Sequence, residues 1–168
     1  KIKLSKGILT MTDIVLTPAS IGNVTLKNRI IFPSMCHYHA SPKGKMTREL
    51  ERYIEARAEG GAAVVTIPGS PYGPPSMARL SLSGEYYRAD WERAAELCHK
   101  HGALLFVQLH PFKHHTEMDK SKKEPDLMPV EEINFFVEQY ALAAARAKEF
   151  GVDGVELHGA HGHELHQF

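Results

Sequence analysis

The chain has 168 residues, 43% of them hydrophobic, enough for one globular domain with a buried core. Its 20 basic and 20 acidic side chains cancel, so composition leaves no electrostatic footprint for nucleic acid or an anionic membrane surface. Two cysteines, Cys36 and Cys98, make no disulfide framework and point to a reducing, cytoplasmic compartment.

The opening stretch KIKLSKGILTM is basic but has no apolar core of signal-peptide length, and no segment of the chain approaches the roughly 20 apolar residues of a membrane span. Met11 reads as a start. Residues 1–13 are then an N-terminal extension, in part vector-derived or upstream sequence, before a domain over 14–168.

In ASIGNVTL (19–26) a Gly-Asn pair between short apolar pieces predicts a hairpin. RIIF (29–32), halted by Pro33, is a short buried strand. Thr47 predicts the cap of a helix over 48–59, with Glu49 and Glu51 in its first turn, an apolar stripe of Leu50, Tyr53, Ile54 and Ala58, and a stop at Gly60-Gly61. AAVVTI (62–67) is a second strand, ended by PGSPYGPP. Asp90 is expected to cap a helix over 90–101, with Cys98 on its apolar side. ALLFVQL (103–109) is a third strand. The polar stretch after it, with its basic run KSKKE (120–124), reads as a solvated loop, and His110, His114 and His115 as loop residues. Pro129 opens a helix over 129–150, and DGVELH (153–158) is the fourth strand.

Continuous apolar runs separated by helices indicate parallel strands covered by helices. No Gly-x-Gly-x-x-Gly follows the first strand, which disfavours a nucleotide-binding Rossmann unit. A closed (β/α)8 barrel needs about 200–250 residues. Four strands therefore predict an α/β fold equal to the N-terminal half of a (β/α)8 TIM barrel: about four parallel strands in sequential order, helices on one outer face, and an N-terminal hairpin. In such folds the loops at the strand C-termini carry function. The chemically unusual residues collect there: PSMCHYH after strand one, PGSPYG after two, QLHPFKHH after three, HGAHGH after four.

These residues carry a resemblance. ASIGNVTLKNRIIFPSMCHY, YIEARAEGGAAVVT, VQL and GVELHGAHGHELHQF resemble the N-terminal half of the Old Yellow Enzyme family of FMN-dependent ene-reductases, over residues 14–168. EARAEGG looks most like the longer members similar to 2,4-dienoyl-CoA reductases and bile-acid-type NADH:flavin oxidoreductases; a 4Fe–4S cluster would belong to such a longer parent. The resemblance implies FMN across the C-terminal mouth and NADH or NADPH as electron donor. Pro33, Ser34, Met35 and Cys36 would line the flavin, Pro68 would stand near its edge, and Gln108 would hydrogen-bond its pyrimidine part. His158 and His161 would hold the carbonyl oxygen of a small α,β-unsaturated substrate, with Tyr38 lining the pocket. His163 stands where the family often has a proton-donating Tyr. HPFKHH departs from the family's x-His-x-Gly-Arg pattern, and Pro68 replaces a small residue. The chemistry is coherent, because two fixed imidazole N–H donors stabilise charge that develops on the carbonyl oxygen.

The rival reading is a metal site or hydrolase built on His158, His161, His163 and His166, since zinc accepts imidazole ligands. A third is that the chain is inactive by itself. Raw sheet edges and an exposed inner face would then lead it to self-associate as a homo-oligomer.

Overall fold

A computed structural model describes residues 11–72, 79–110, 129–161 and 164–167. Strands β1 (Ala19–Ile21) and β2 (Val24–Leu26) form the expected antiparallel hairpin, in the register Ala19↔Leu26, Ser20↔Thr25 and Ile21↔Val24. Gly22 occupies the first turn position with φ +57°, a conformation that costs glycine little. A five-residue helix, α1 (Met11–Val15), precedes the hairpin, where no regular element is expected from the sequence.

The main sheet runs β3 (Ile31–Phe32), β4 (Val64–Ser70), β6 (Leu104–Leu109) and β7 (Gly154–Leu157) in spatial as well as chain order, every neighbouring pair parallel. Four parallel strands in sequential order are what the sequence implies. The structure adds a fifth piece, β5 (Leu80–Ser81), which pairs in parallel with the end of β4 through Gly69↔Leu80 and Ser70↔Ser81. Two residues are too few to show a period, so this strand is invisible until β4 supplies its partner.

Three helices cover one face: α2 (Arg48–Glu59), α3 (Arg88–His99) and α4 (Val130–Glu149). The Thr47 hydroxyl accepts from the Leu50 amide at 3.1 Å, the cap the sequence calls for, and Leu50, Ile54 and Ala58 are the buried stripe. The capping role assigned to Asp90 is not found. A 3₁₀ turn at Glu85–Tyr87 leads into α3, which has already begun at Arg88. Asp90 turns instead to the segment before α2. Its carboxylate accepts from the Met46 amide at 3.0 Å and pairs with Lys45 at 2.6 Å, a tertiary bond that displaces the local cap.

Alternation along the strands divides the sheet into two chemistries. Val65 and Ile67 of β4 and Leu105, Val107 and Leu109 of β6 point to the helices and pack with Leu50, Ile54, Trp91, Cys98, Ala143, Ala147 and Phe150. On the opposite face stand Val64, Thr66, Pro68 and Ser70 of β4, beside Leu104, Phe106 and Gln108 of β6. Gly154 belongs there too, because a Cβ at that position would lie 2.5 Å from the Phe106 ring. Helices on one face and a second, partly polar face on the other make this half of a (β/α)8 barrel, with the functional end at the strand C-termini.

Candidate functional site

The ends of β3, β4, β6 and β7 open on the same side of the sheet, and what each strand delivers follows from its register. After β3, Pro33, Met35 and Cys36 are exposed and Ser34 is half-buried. Pro68 is buried within β4, directly opposite Gln108 of β6, which in turn faces Glu156 of β7. Pro68, Gln108 and Glu156 thus form one row across the inner face. Gln108 is half-exposed, and its Nε2 donates to the Glu156 carboxylate. On either side of Pro68 along β4, the hydroxyls of Thr66 and Ser70 are buried with no hydrogen-bond partner among the described residues. Buried hydroxyls in that state are stabilised by a ligand or water that supplies the missing bond.

His158 and His161 lie together. Their ring centroids are 5.2 Å apart at an interplanar angle of 58°, with His158 8% exposed and His161 open to solvent. Among the described residues, the non-glycine positions with left-handed φ are Tyr38 (+56°) and His161 (+59°). Such a backbone is costly for residues with a Cβ and concentrates where a side chain must be aimed. His163 lies outside the described residues. His166, in the short helix α5 (Glu164–Gln167), is exposed. No group of three or more His, Cys, Asp or Glu side chains among the described residues is placed to hold a metal ion.

Two members of the cluster are not apparent from the sequence. His110, read there as a loop residue, is 5% exposed; its amide donates to the Gly69 carbonyl at 3.0 Å, prolonging the β4–β6 ladder. Its ring stacks on His158 with centroids 4.7 Å apart and planes 20° from parallel. The signal was present in the alternation, since His110 is two residues beyond Gln108 and so faces the same way. Arg79 had no such signal, lying in a Pro/Gly-rich stretch. It is 1% exposed just before β5, its Nη1 donates to His110 Nδ1 at 2.7 Å, and its Nη2 is 4.0 Å from the Cys36 sulfur. The result is a continuous series, Cys36–Arg79–His110–His158–His161, drawn from the ends of three strands and the approach to a fourth.

Its electrostatics favour a neutral His158 beside one buried cation. Burial lowers the pKa of His158, reinforced by repulsion from His161 and Arg79 and opposed by Glu156. Burial also lowers that of Arg79, with Cys36 and Tyr38 opposing; a guanidinium nevertheless remains charged.

In the segment after β3, His37 stacks on His39 at 5.5 Å and lies 5.1 Å from the Tyr53 ring, with its Nε2 buried. Burial, then the charges of His39, Arg79 and Arg57, lower its pKa from 6.5 to about 4. An unfolded chain protonates this imidazole first, so the contribution of His37 to stability is complete above pH 6.5 and declines as pH falls toward about 4. Chemical denaturation at a series of pH values is expected to show that loss, and His37→Gln to reduce it. A profile unaltered by the substitution would exclude His37 as a source of acid sensitivity.

Comparison with known proteins gives a consistent result. The family model of the NADH:flavin oxidoreductase / NADH oxidase family matches residues 15–168. An NADH oxidase of Thermoanaerobacter brockii is 30% identical over 88% of this chain and 26% of its own length. An NADPH dehydrogenase of Halalkalibacterium halodurans is 31% identical over 88% of this chain and 48% of its own. A solved Old Yellow Enzyme from Pichia sp. AKU4542 shares the fold with a TM-score of 0.75 at 21% identity, covering 89% of this chain and 47% of that one. The chain thus spans about half or less of the length of these relatives.

Proposed function

The chain belongs to the NADH:flavin oxidoreductase / NADH oxidase family, and from that premise we propose that it forms part of an FMN-dependent, NAD(P)H-consuming oxidoreductase acting on small α,β-unsaturated carbonyl compounds. The observation that carries this reading is the His158–His161 pair, two imidazoles 5.2 Å apart at a strand end, one buried and the other held by a left-handed backbone. That geometry suits two N–H donors converging on one oxygen.

The inner face fits a polar heteroaromatic ring. Thr66 and Ser70 offer buried hydroxyls, and Gln108, with one N–H given to Glu156, keeps an amide oxygen and a second N–H. In this reading Gln108 bonds the ring's pyrimidine edge, Pro68 stands beside it, and Pro33, Ser34, Met35 and Cys36 line its other side. When bound, FMN supplies the hydride chemistry. The protein's own part is to hold the substrate carbonyl between His158 and His161, to line the pocket with Tyr38, and to deliver a proton to the α-carbon from His163. Residues 14–168 are then the N-terminal half of the FMN-binding barrel, and two free cysteines suit a cytoplasmic setting.

Among the described residues the main sheet ends at β3 and β7, with Ile31, Val155 and Leu157 exposed. Such edges promote self-association. The test compares the 168-residue chain with the intact protein by flavin absorbance, enone-dependent NAD(P)H oxidation, metal content and light scattering. The intact protein is expected to be yellow and active, and the 168-residue chain colourless and oligomeric. An intact protein with no affinity for FMN, or one carrying stoichiometric zinc in its place, would overturn the reading.

A further inference from the structure

We propose that Arg79 is a positioning residue that fixes the tautomer of His110 and thereby the orientation of the His158 ring stacked on it. The inference rests on the reading of His158 as a carbonyl-binding donor, and it deepens that reading by assigning a support to the donor.

The argument starts from the inventory of hydrogens. A guanidinium has five N–H donors, no acceptor, and keeps its proton in proteins. Arg79 Nη1 lies 2.7 Å from His110 Nδ1. One of those two nitrogens must accept, and only the imidazole nitrogen has a lone pair. His110 Nδ1 is therefore unprotonated, and the ring's single proton sits on Nε2. Burial enforces the choice, since Arg79 is 1% and His110 5% exposed. Protonating Nδ1 would bring two cations into contact and destroy the hydrogen bond in a place where water cannot replace it.

The backbone fixes the other coordinate of the ring. The His110 amide is held by the Gly69 carbonyl at 3.0 Å and the His158 amide by the Leu109 carbonyl at 3.2 Å, so both histidines are extensions of the sheet. With backbone and tautomer set, His110 presents a flat neutral face 4.7 Å from His158, only 20° from parallel. A neutral imidazole has one N–H to give, so the plane in which it is held decides whether that donor meets a substrate oxygen.

The groups around His158 pull in opposite directions, and burial with its positive neighbours prevails over the carboxylate. Arg79 from the approach to β5 and His161 beyond β7 disfavour its protonation, and Glu156 of β7 favours it; His110 at the end of β6 is held neutral, while Cys36 and Tyr38 from the β3 loop face Arg79. Removing the Arg79 charge shifts the His158 titration upward.

The test is imidazole NMR on the intact protein labelled with ¹⁵N-histidine, followed through a pH titration. His110 is expected to show an acceptor-type Nδ1 and a protonated Nε2. Arg79→Met is expected to mix the His110 tautomers and raise the His158 midpoint, and Arg79→Lys, which restores a donor and a charge, to reverse both changes. A protonated Nδ1 on His110 in the unsubstituted protein would overturn the proposal, and that measurement decides it even where the methionine variant does not fold. An Arg79→Met variant that folds with the His110 tautomer and the His158 midpoint unchanged would overturn it equally. Neither flavin nor enone is needed, so failure here is distinct from failure of the proposed reaction.

Discussion

Alanine at His158 or at His161 in the intact protein is expected to slow enone reduction by roughly 10²–10³ in kcat, the loss associated with one oxyanion donor. Each imidazole would give one N–H to an oxygen that gains negative charge as the reaction proceeds. The two positions differ in how they are held. His158 is 8% exposed, anchored by its amide to Leu109 and stacked on His110, so its donor would work where water is largely excluded. His161 is exposed and depends on φ +59° to aim its ring. Asparagine tolerates that conformation and carries an amide N–H, so His161→Asn is expected to retain more activity than His161→Ala. Binding of phenolic ligands should weaken in both alanine variants. Steady-state kinetics with a small enone decide the matter, and a variant reducing it at the parental rate would remove that residue from the proposed site.

Trp91→Ala is expected to destabilise the fold by about 3–5 kcal/mol, a large fraction of the roughly 5–15 kcal/mol of a typical domain. Trp91 is fully buried on α3, and its ring lies where a Cβ at Gly69 would approach within 3.1 Å. Its Nε1 donates to the Ser81 carbonyl at 2.7 Å, so the side chain ties α3 to β4 and β5 together. Deleting it leaves a cavity and strands that carbonyl. Trp91→Phe keeps most of the volume and is expected to cost less, chiefly the lost hydrogen bond at about 1 kcal/mol. Urea denaturation separates the two. Because β5 follows directly on Arg79, the alanine variant should also disturb the His110 tautomer. An alanine variant within about 1 kcal/mol of the parent would show that the packing at β4–β5 is not what holds this part of the sheet.

Legibility in the sequence follows the range of the interactions involved. Helix α2 has the bounds expected from residues 47–61, because its cap at Thr47, the stripe Leu50, Ile54 and Ala58, and the glycines that end it all act within a few residues of one another. The hairpin at Gly22, the apolar runs of β4 and β6 and their parallel order are likewise written locally, in turn chemistry and period. So is the gathering of unusual side chains at the strand ends, including the His158–His161 pair.

Other features needed partners that the chain supplies from far away. Strand β5 exists because β4 pairs with two residues that have no period of their own. Asp90 lies two residues inside α3 rather than capping it, because Lys45 and the Met46 amide bind its carboxylate. Gln108 meets Glu156 across 48 residues, and Arg79 meets His110 across 31. By itself the sequence determined the parallel half-barrel and at which of its ends the unusual side chains gather, since propensity, capping and period are properties of neighbouring residues. Only the tertiary structure decided that a buried arginine stands behind the histidines, because a guanidinium is stabilised away from water by acceptors that just the folded sheet brings within reach.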